Sequence, residues 1–78
     1  MQIKWKEDCI LTVFDSESDL TEEQGRKAGQ VEEVTFFGHP QFWQDGIGKD
    51  DPSKSHLALE TGEIAASVEN DWFEVIDG

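Results

Sequence analysis

The sequence predicts an all-β domain: a small five-stranded barrel or rolled antiparallel sheet, with a long loop between the second and third strands. Three observations carry that prediction. Apolar residues alternate with polar ones at a period of two in several separate stretches. A Thr61-Gly62 pair sits between two such stretches, where a tight turn is needed. No segment carries an apolar stripe at the 3.6-residue spacing of a packed helix.

The elements follow in order along the chain. Ile3, Trp5, Cys9, Leu11 and Val13 all occupy odd positions, so they share one face of a strand, or of two short strands with a bend near Glu7 and Asp8. Ile10 and Phe14 then face the other way. Asp15 to Gly29 breaks the alternation and is read as a solvated loop. A single helical turn is the alternative there, because Thr21 followed by Gln24 fits a capping box. Gln30 to Phe37 is the second strand, with Val34 and Phe36 inward and Phe37 outward. Val31 is out of phase with them, which predicts a bulge around Glu32 and Glu33. Gly38 to Lys54 is too long for a tight turn, and long loops of this kind are functional or disordered more often than not.

Regular alternation resumes after the loop. Leu57 and Leu59 face inward, while His56, Ala58 and Glu60 face out. Past the Thr61-Gly62 turn, Ile64, Ala66 and Val68 share a face. Glu69 to Trp72 then makes a short turn of tight helix before a final strand at Phe73 to Ile76. The expected core is Ile3, Trp5, Leu11, Val13, Val34, Phe36, Leu57, Leu59, Ile64, Val68 and Val75, with Trp72 and Phe73 anchoring the closing turn.

The run LALETGEIAASVENDWFEVI resembles the ending of many short uncharacterised bacterial and phage proteins. In these a strand, a glycine turn, an alanine-containing strand and a short turn lead into a terminal FEVI. They are similar to Src-homology-three-like barrels, in which one turn of tight helix precedes the last strand. IKWKEDCILTV and KAGQVEEVTF look like the first two strands of the same pattern. The chain departs from it at Glu69, where proline is usual, at Thr61, where Asp often precedes the turn glycine, and in the length of the Gly38–Lys54 loop. The resemblance implies the fold and a phage or mobile-element setting, and it supplies no catalytic residue.

Length and charge bound the function. Seventy-eight residues make one domain, residues 1–78, with a small core and little room for a deep cleft. Eighteen acidic residues against six basic ones give a net charge of −12. Such a chain repels a phosphate backbone and an anionic membrane surface, so neither direct nucleic-acid binding nor membrane binding is expected. Asp15, Glu17, Asp19, Glu22 and Glu23 form one acidic cluster, and after Lys54 the chain has no Lys or Arg at all. Should the chain ends meet, one surface becomes strongly negative. Cys9 is the single cysteine, which excludes an intramolecular disulfide. The N-terminus has no apolar run of signal-peptide length, and a cytoplasmic location is expected.

No catalytic residue, metal ligand or cofactor site emerges. Asp15 to Arg26 begins like a calcium loop but has Leu20 at the glycine position and Arg26 at the bidentate-glutamate position. His39 and His56, seventeen residues apart with aspartates between them, lack the spacing and sulfur partners of a zinc site. Gly46 to Lys49 resembles part of a phosphate loop, yet Asp50 stands where Ser or Thr is needed and Trp43 stands at the first glycine position. Cys9, on an inward strand position, reads as a small buried apolar group rather than a nucleophile.

The aromatics in the long loop remain. No strand period places Phe37, Phe42, Trp43 and Ile47 inward, so they either cap an open barrel end or present an apolar patch to a partner. The expected function is a non-enzymatic acidic interaction module. It would bind a host or viral protein, one with a basic surface if the acidic face takes part. One alternative is a nucleic-acid mimic that blocks a DNA- or RNA-binding defence enzyme, with the acidic cluster in place of phosphates. Another is a structural role through self-association.

Overall fold

The computed structural model of the chain describes residues 1–15, 17 and 20–77. These form nine strands: β1 (Gln2–Trp5), β2 (Cys9–Phe14), β3 (Thr21–Arg26), β4 (Val31–Gly38), β5 (Gln41–Gln44), β6 (Ile47–Asp50), β7 (Lys54–Leu59), β8 (Ile64–Glu69) and β9 (Phe73–Val75). A single 3-10 turn, Asn70–Trp72, precedes β9 as expected. The all-β antiparallel class is therefore as the sequence implies. The count of five strands is not, and the barrel is not closed. Seven strands make one sheet in the order β3-β2-β8-β7-β4-β1-β9, and β5 and β6 make a separate two-stranded sheet.

The large sheet is rolled. β1 and β2 stand four places apart in it, roughly 19 Å if the sheet were flat. Yet Ile3 and Trp5 on β1 belong to the same buried cluster as Leu11 and Val13 on β2, with Val34, Leu57, Leu59, Ala65 and Val68. Curling the sheet around these side chains is the arrangement that lets them touch. The bend expected near Glu7 and Asp8 is the corner at which the chain crosses from one side of the roll to the other. It is held by the Lys6 N–H donating to the Trp72 carbonyl (2.7 Å) and the Ala28 N–H donating to the Asp8 carboxylate (2.8 Å).

Further expectations need correction. Thr21–Arg26 is an edge strand rather than a loop or helical turn, paired residue for residue with β2 from Phe14↔Thr21 to Cys9↔Arg26. Its polar side chains give no period to read, because main-chain bonds to β2 hold it in place. The bulge lies at Phe36–Gly38 rather than at Glu32–Glu33. Glu32 keeps a regular register opposite Ile3 and takes an inward position itself, which puts Val31 outside. Phe36 has the inward parity expected of it, opposite buried Leu57, but is 48% exposed because the roll is open at that end. Val75, opposite Ile3, is likewise exposed, since β9 is the sheet's edge and nothing lies beyond it.

β8 carries a further irregularity. Ser55 pairs with Val68 but Leu57 pairs with Ala65, so one extra residue is accommodated opposite His56. Ser67 takes a φ of 53° there, and its N–H donates to His56 Nδ1 (3.0 Å). The bulge moves the inward positions to Ala65 and Val68 and leaves Ile64 and Ala66 half-buried, where strict alternation puts Ile64, Ala66 and Val68 together. The Thr61-Gly62 turn is as expected, with Gly62 at a φ of 90°.

One polar network ties the open edge of the roll to its interior. The Trp5 indole N–H donates to Glu32 Oε1 (2.6 Å), and Arg26 donates to both carboxylate oxygens of Glu32 (2.5 and 3.3 Å). Arg26 also donates to the Gln24 side-chain carbonyl (3.2 Å). Glu32 is the inward carboxylate that the apolar pattern could not announce. It satisfies a buried tryptophan and an edge-strand arginine at once.

Candidate functional site: a projecting hairpin and an acidic edge

The Gly38–Lys54 stretch is not the long loop expected between strands: its middle, β5 and β6, forms a second small sheet standing off the first. Asp45 and Gly46, with φ of 53° and 77°, form the two-residue turn whose twist suits a hairpin, and Asp-Gly is the dipeptide that adopts it most readily. On either side Gln41↔Asp50, Phe42↔Lys49, Trp43↔Gly48 and Gln44↔Ile47 pair directly. The Asp45-Gly46 signal was present in the sequence, but the flanking residues are too short and too mixed in polarity to stand out as strands. The extents of the molecule, 40 × 29 × 21 Å, and its 13.0 Å radius of gyration reflect this projection. A compact chain of this length has a radius near 11.5 Å.

The base of the hairpin is tightly bonded. His39 Nδ1 donates to the Lys54 carbonyl (2.7 Å), and the Asp51 N–H donates to the Pro40 carbonyl (2.8 Å). Asp51 in turn accepts from the Ser53 hydroxyl (2.6 Å) and the Ser53 N–H (3.1 Å). Asn70 reaches across from the 3-10 turn, donating to the Pro52 carbonyl (2.8 Å) and accepting from Ser55 (2.6 Å). The Ser53 hydroxyl and N–H hold the Asp51 carboxyl below its ordinary value, with Lys54 and His39 adding to the effect. A depressed folded pKa contributes stability that is present above the unfolded value near 3.8 and is lost as pH falls through the folded pKa. Ser53→Ala is expected to return the Asp51 titration toward 3.8, read from its side-chain carboxyl carbon shift. An unchanged midpoint would exclude the hydroxyl as the main cause.

The four apolar residues singled out from the sequence are all exposed, but they do not make one patch. Directly opposed residues share a face, so Phe42 and Ile47 lie on one face of the hairpin with Gln44 and Lys49. Trp43 lies on the other, with Gly48, Gln41 and Asp50. Trp43 is 78% exposed and Phe42 44%. A Cβ placed on Gly48 would sit 3.7 Å from the Trp43 ring, so the ring rests over the bare backbone of its cross-strand partner. Phe37 is the extra residue of the β4 bulge and faces solvent. Neither Phe42 nor Trp43 reaches back to cap the core, and the Phe36 ring packs edge to face on the His39 ring at 5.0 Å.

The acidic residues divide as well. Glu22 and Glu23 are neighbours on β3, so their side chains leave opposite faces. Glu22 joins Asp15 and Glu63 around a shallow depression also lined by Leu20 and Thr21. The Gln24 amide donates to Glu22 (2.8 Å) and lies 3.4 Å from Glu63. Glu17 is exposed beside Asp15, to which its N–H donates (2.9 Å), and Asp19 lies outside the described residues. The chain ends do meet, through β1 and β9, but there Lys4 stands opposite Glu74.

Cys9 is half-buried, and burial, aided by Glu7, pushes its thiol above the ordinary value, away from the thiolate that a nucleophile needs. His39 and His56 each bond main-chain groups. Among the described residues no group of three or more His, Cys, Asp or Glu side chains is arranged to hold a metal ion. Among the same residues no helix is long and apolar enough to cross a membrane. No protein-family model matches this chain, and neither a curated protein nor a solved structure matches it.

Proposed function

We propose that the protein is a non-enzymatic interaction module, encoded by a phage or other mobile element, that docks on a partner protein through the β5–β6 hairpin. The carrying observation is that this hairpin exposes Phe42, Trp43 and Ile47 while the core is complete without it. A two-stranded hairpin bare on both faces is marginal in water, so covering either face with a partner stabilises it as well as the complex. Exposed aromatics on a preformed turn are the usual anchors of a protein interface. The two faces offer different chemistry: Phe42 and Ile47 beside Lys49, or Trp43 over Gly48. The net charge of −12 favours a partner with a basic surface. The single 3-10 turn before β9 supports the scaffold reading, a Src-homology-three-like sheet left open at its edges.

The test is capture of partners from an extract of the source cells by the wild type and by a Phe42→Ala/Trp43→Ala variant, at low and high salt. The variant is expected to keep its stability within about 0.5 kcal/mol, as exposed substitutions do, and to lose the captured proteins. Recovery of the same proteins by both chains would sink the hairpin reading. A nucleic-acid mimic has a different signature: capture that survives the double substitution and falls steeply with salt.

A further inference from the structure

We infer that β3 is a second docking edge, which receives an extended basic segment of another protein as an eighth strand of the large sheet. β3 is six residues long, pairs with β2 without a bulge, contains no proline, and forms one end of the sheet. The Asp15 N–H donates to the Leu20 carbonyl (3.3 Å), which sets the phase of the ladder. In that phase the main-chain groups of Glu22, Gln24 and Arg26 turn toward β2, and those of Thr21, Glu23 and Gly25 turn away. Among the described residues the N–H groups of these three have no partner, and only the Gly25 carbonyl is engaged, by Arg26 (3.1 Å). A row of unmet main-chain donors and acceptors is the template for strand addition.

Charge decides what can use it. Glu22 and Glu23 on the strand are joined by Asp15, Glu17 and Glu63 beside it, and the nearby cations are already occupied, Arg26 by Glu32 and Lys27 by Asp8 (3.6 Å). In the register that centres the pairing on Glu23, a second copy sets Glu23 directly against Glu23, so the edge is guarded against self-addition there. A basic strand meets no such guard. Gly25 adds a position-specific feature: it pairs directly with exposed Ile10 on β2, and the space where its side chain would stand is open. An aromatic side chain opposite Gly25 on the incoming strand can lie across the glycine onto Ile10. Counting back along β3 in the antiparallel sense of the sheet, the segment reads aromatic, any residue, basic, basic. The two basic residues meet Glu23 on the outer face and Glu22 on the inner.

The test uses the full chain, isotopically labelled, and the capped peptide Thr-Phe-Thr-Lys-Lys-Thr, with a scrambled peptide of the same composition as control. Binding of the ordered peptide is expected to raise hydrogen-exchange protection of the Thr21, Glu23 and Gly25 amides by tenfold or more on approach to saturation. Glu23→Gln loses one charge and keeps its N–H, and is expected to bind about threefold more weakly. Glu23→Pro loses both, with its ring on the solvent side of an edge strand where proline is tolerated, and is expected to bind roughly tenfold more weakly than Glu23→Gln. Thr21→Pro, at the first position of the strand, repeats the comparison without a charge change and stands in should Glu23→Pro disturb the sheet. Phe42→Ala/Trp43→Ala is expected to bind the peptide like the wild type, which separates this edge from the hairpin. Absence of new protection at the three amides, equal response to the scrambled peptide, or proline variants that bind as tightly as their controls would each overturn the assignment.

Discussion

Trp5→Ala is expected to remove about 4 kcal/mol of stability, the cost of emptying a fully buried tryptophan site that the surrounding sheet cannot close over. The stability available to a 78-residue chain is roughly 4–12 kcal/mol, so this one substitution removes between about a third and all of it. Three separate contacts meet at this side chain. It is fully buried in the shared cluster of β1, β2, β4, β7 and β8, and the Phe73 ring packs edge-on against it with centroids 5.8 Å apart. Its indole N–H donates to Glu32. Trp5→Phe keeps most of the packing and drops only the donor, and is expected to cost about 1–2 kcal/mol. Urea denaturation followed by far-ultraviolet circular dichroism checks both. A cost below about 2 kcal/mol for Trp5→Ala would mean that the roll is not organised around this ring.

Glu32→Ala is expected to cost about 2–3 kcal/mol, an unusual amount for one carboxylate in a chain that has so many. The reason is what it leaves behind. The Trp5 indole N–H loses its acceptor in the interior, and the Arg26 side chain, 12% exposed, is left with the Gln24 side chain and the Gly25 carbonyl. The Glu32 side chain is 22% exposed, so solvent screens part of the pair and the cost falls below that of a fully buried ion pair. A double-mutant cycle with Arg26→Ala separates the terms. The double variant should be less destabilised than the sum of the two single ones, because neither then strands a charge. Simple additivity would show that Glu32 and Arg26 act independently. Loss of this network also frees β3 from the interior, so Glu32→Ala should raise exchange at β3 amides before those of β7.

The two halves of the candidate site were legible to different degrees. The absence of Phe37, Phe42, Trp43 and Ile47 from any inward period left two readings open, a cap on an open barrel end or an apolar patch, and the structure leaves all four in solvent. Their division between two faces did not follow, because it depends on register, and register is set by the Asp45-Gly46 turn. The acidic cluster was visible as composition. Its separation into Glu22 on one face and Glu23 on the other required knowing that this stretch is a strand.

Alternation along the chain by itself determined which residues point inward: Ile3 and Trp5, Leu11 and Val13, Leu57 and Leu59 are core in the structure as in the sequence. It determined this because side-chain direction in a strand is a local property with a period of two. Depth is not local. Phe36 and Val75 have the inward parity and remain exposed, since one lies at the open end of the roll and the other on its last strand. β3 exists only because β2 offers it a ladder, and Glu32 is an inward carboxylate only because Trp5 and Arg26 arrive beside it. Where strands end, which edges stay bare and which charges find partners depend on contacts between residues far apart in the chain. Those contacts come into being when the sheet curls.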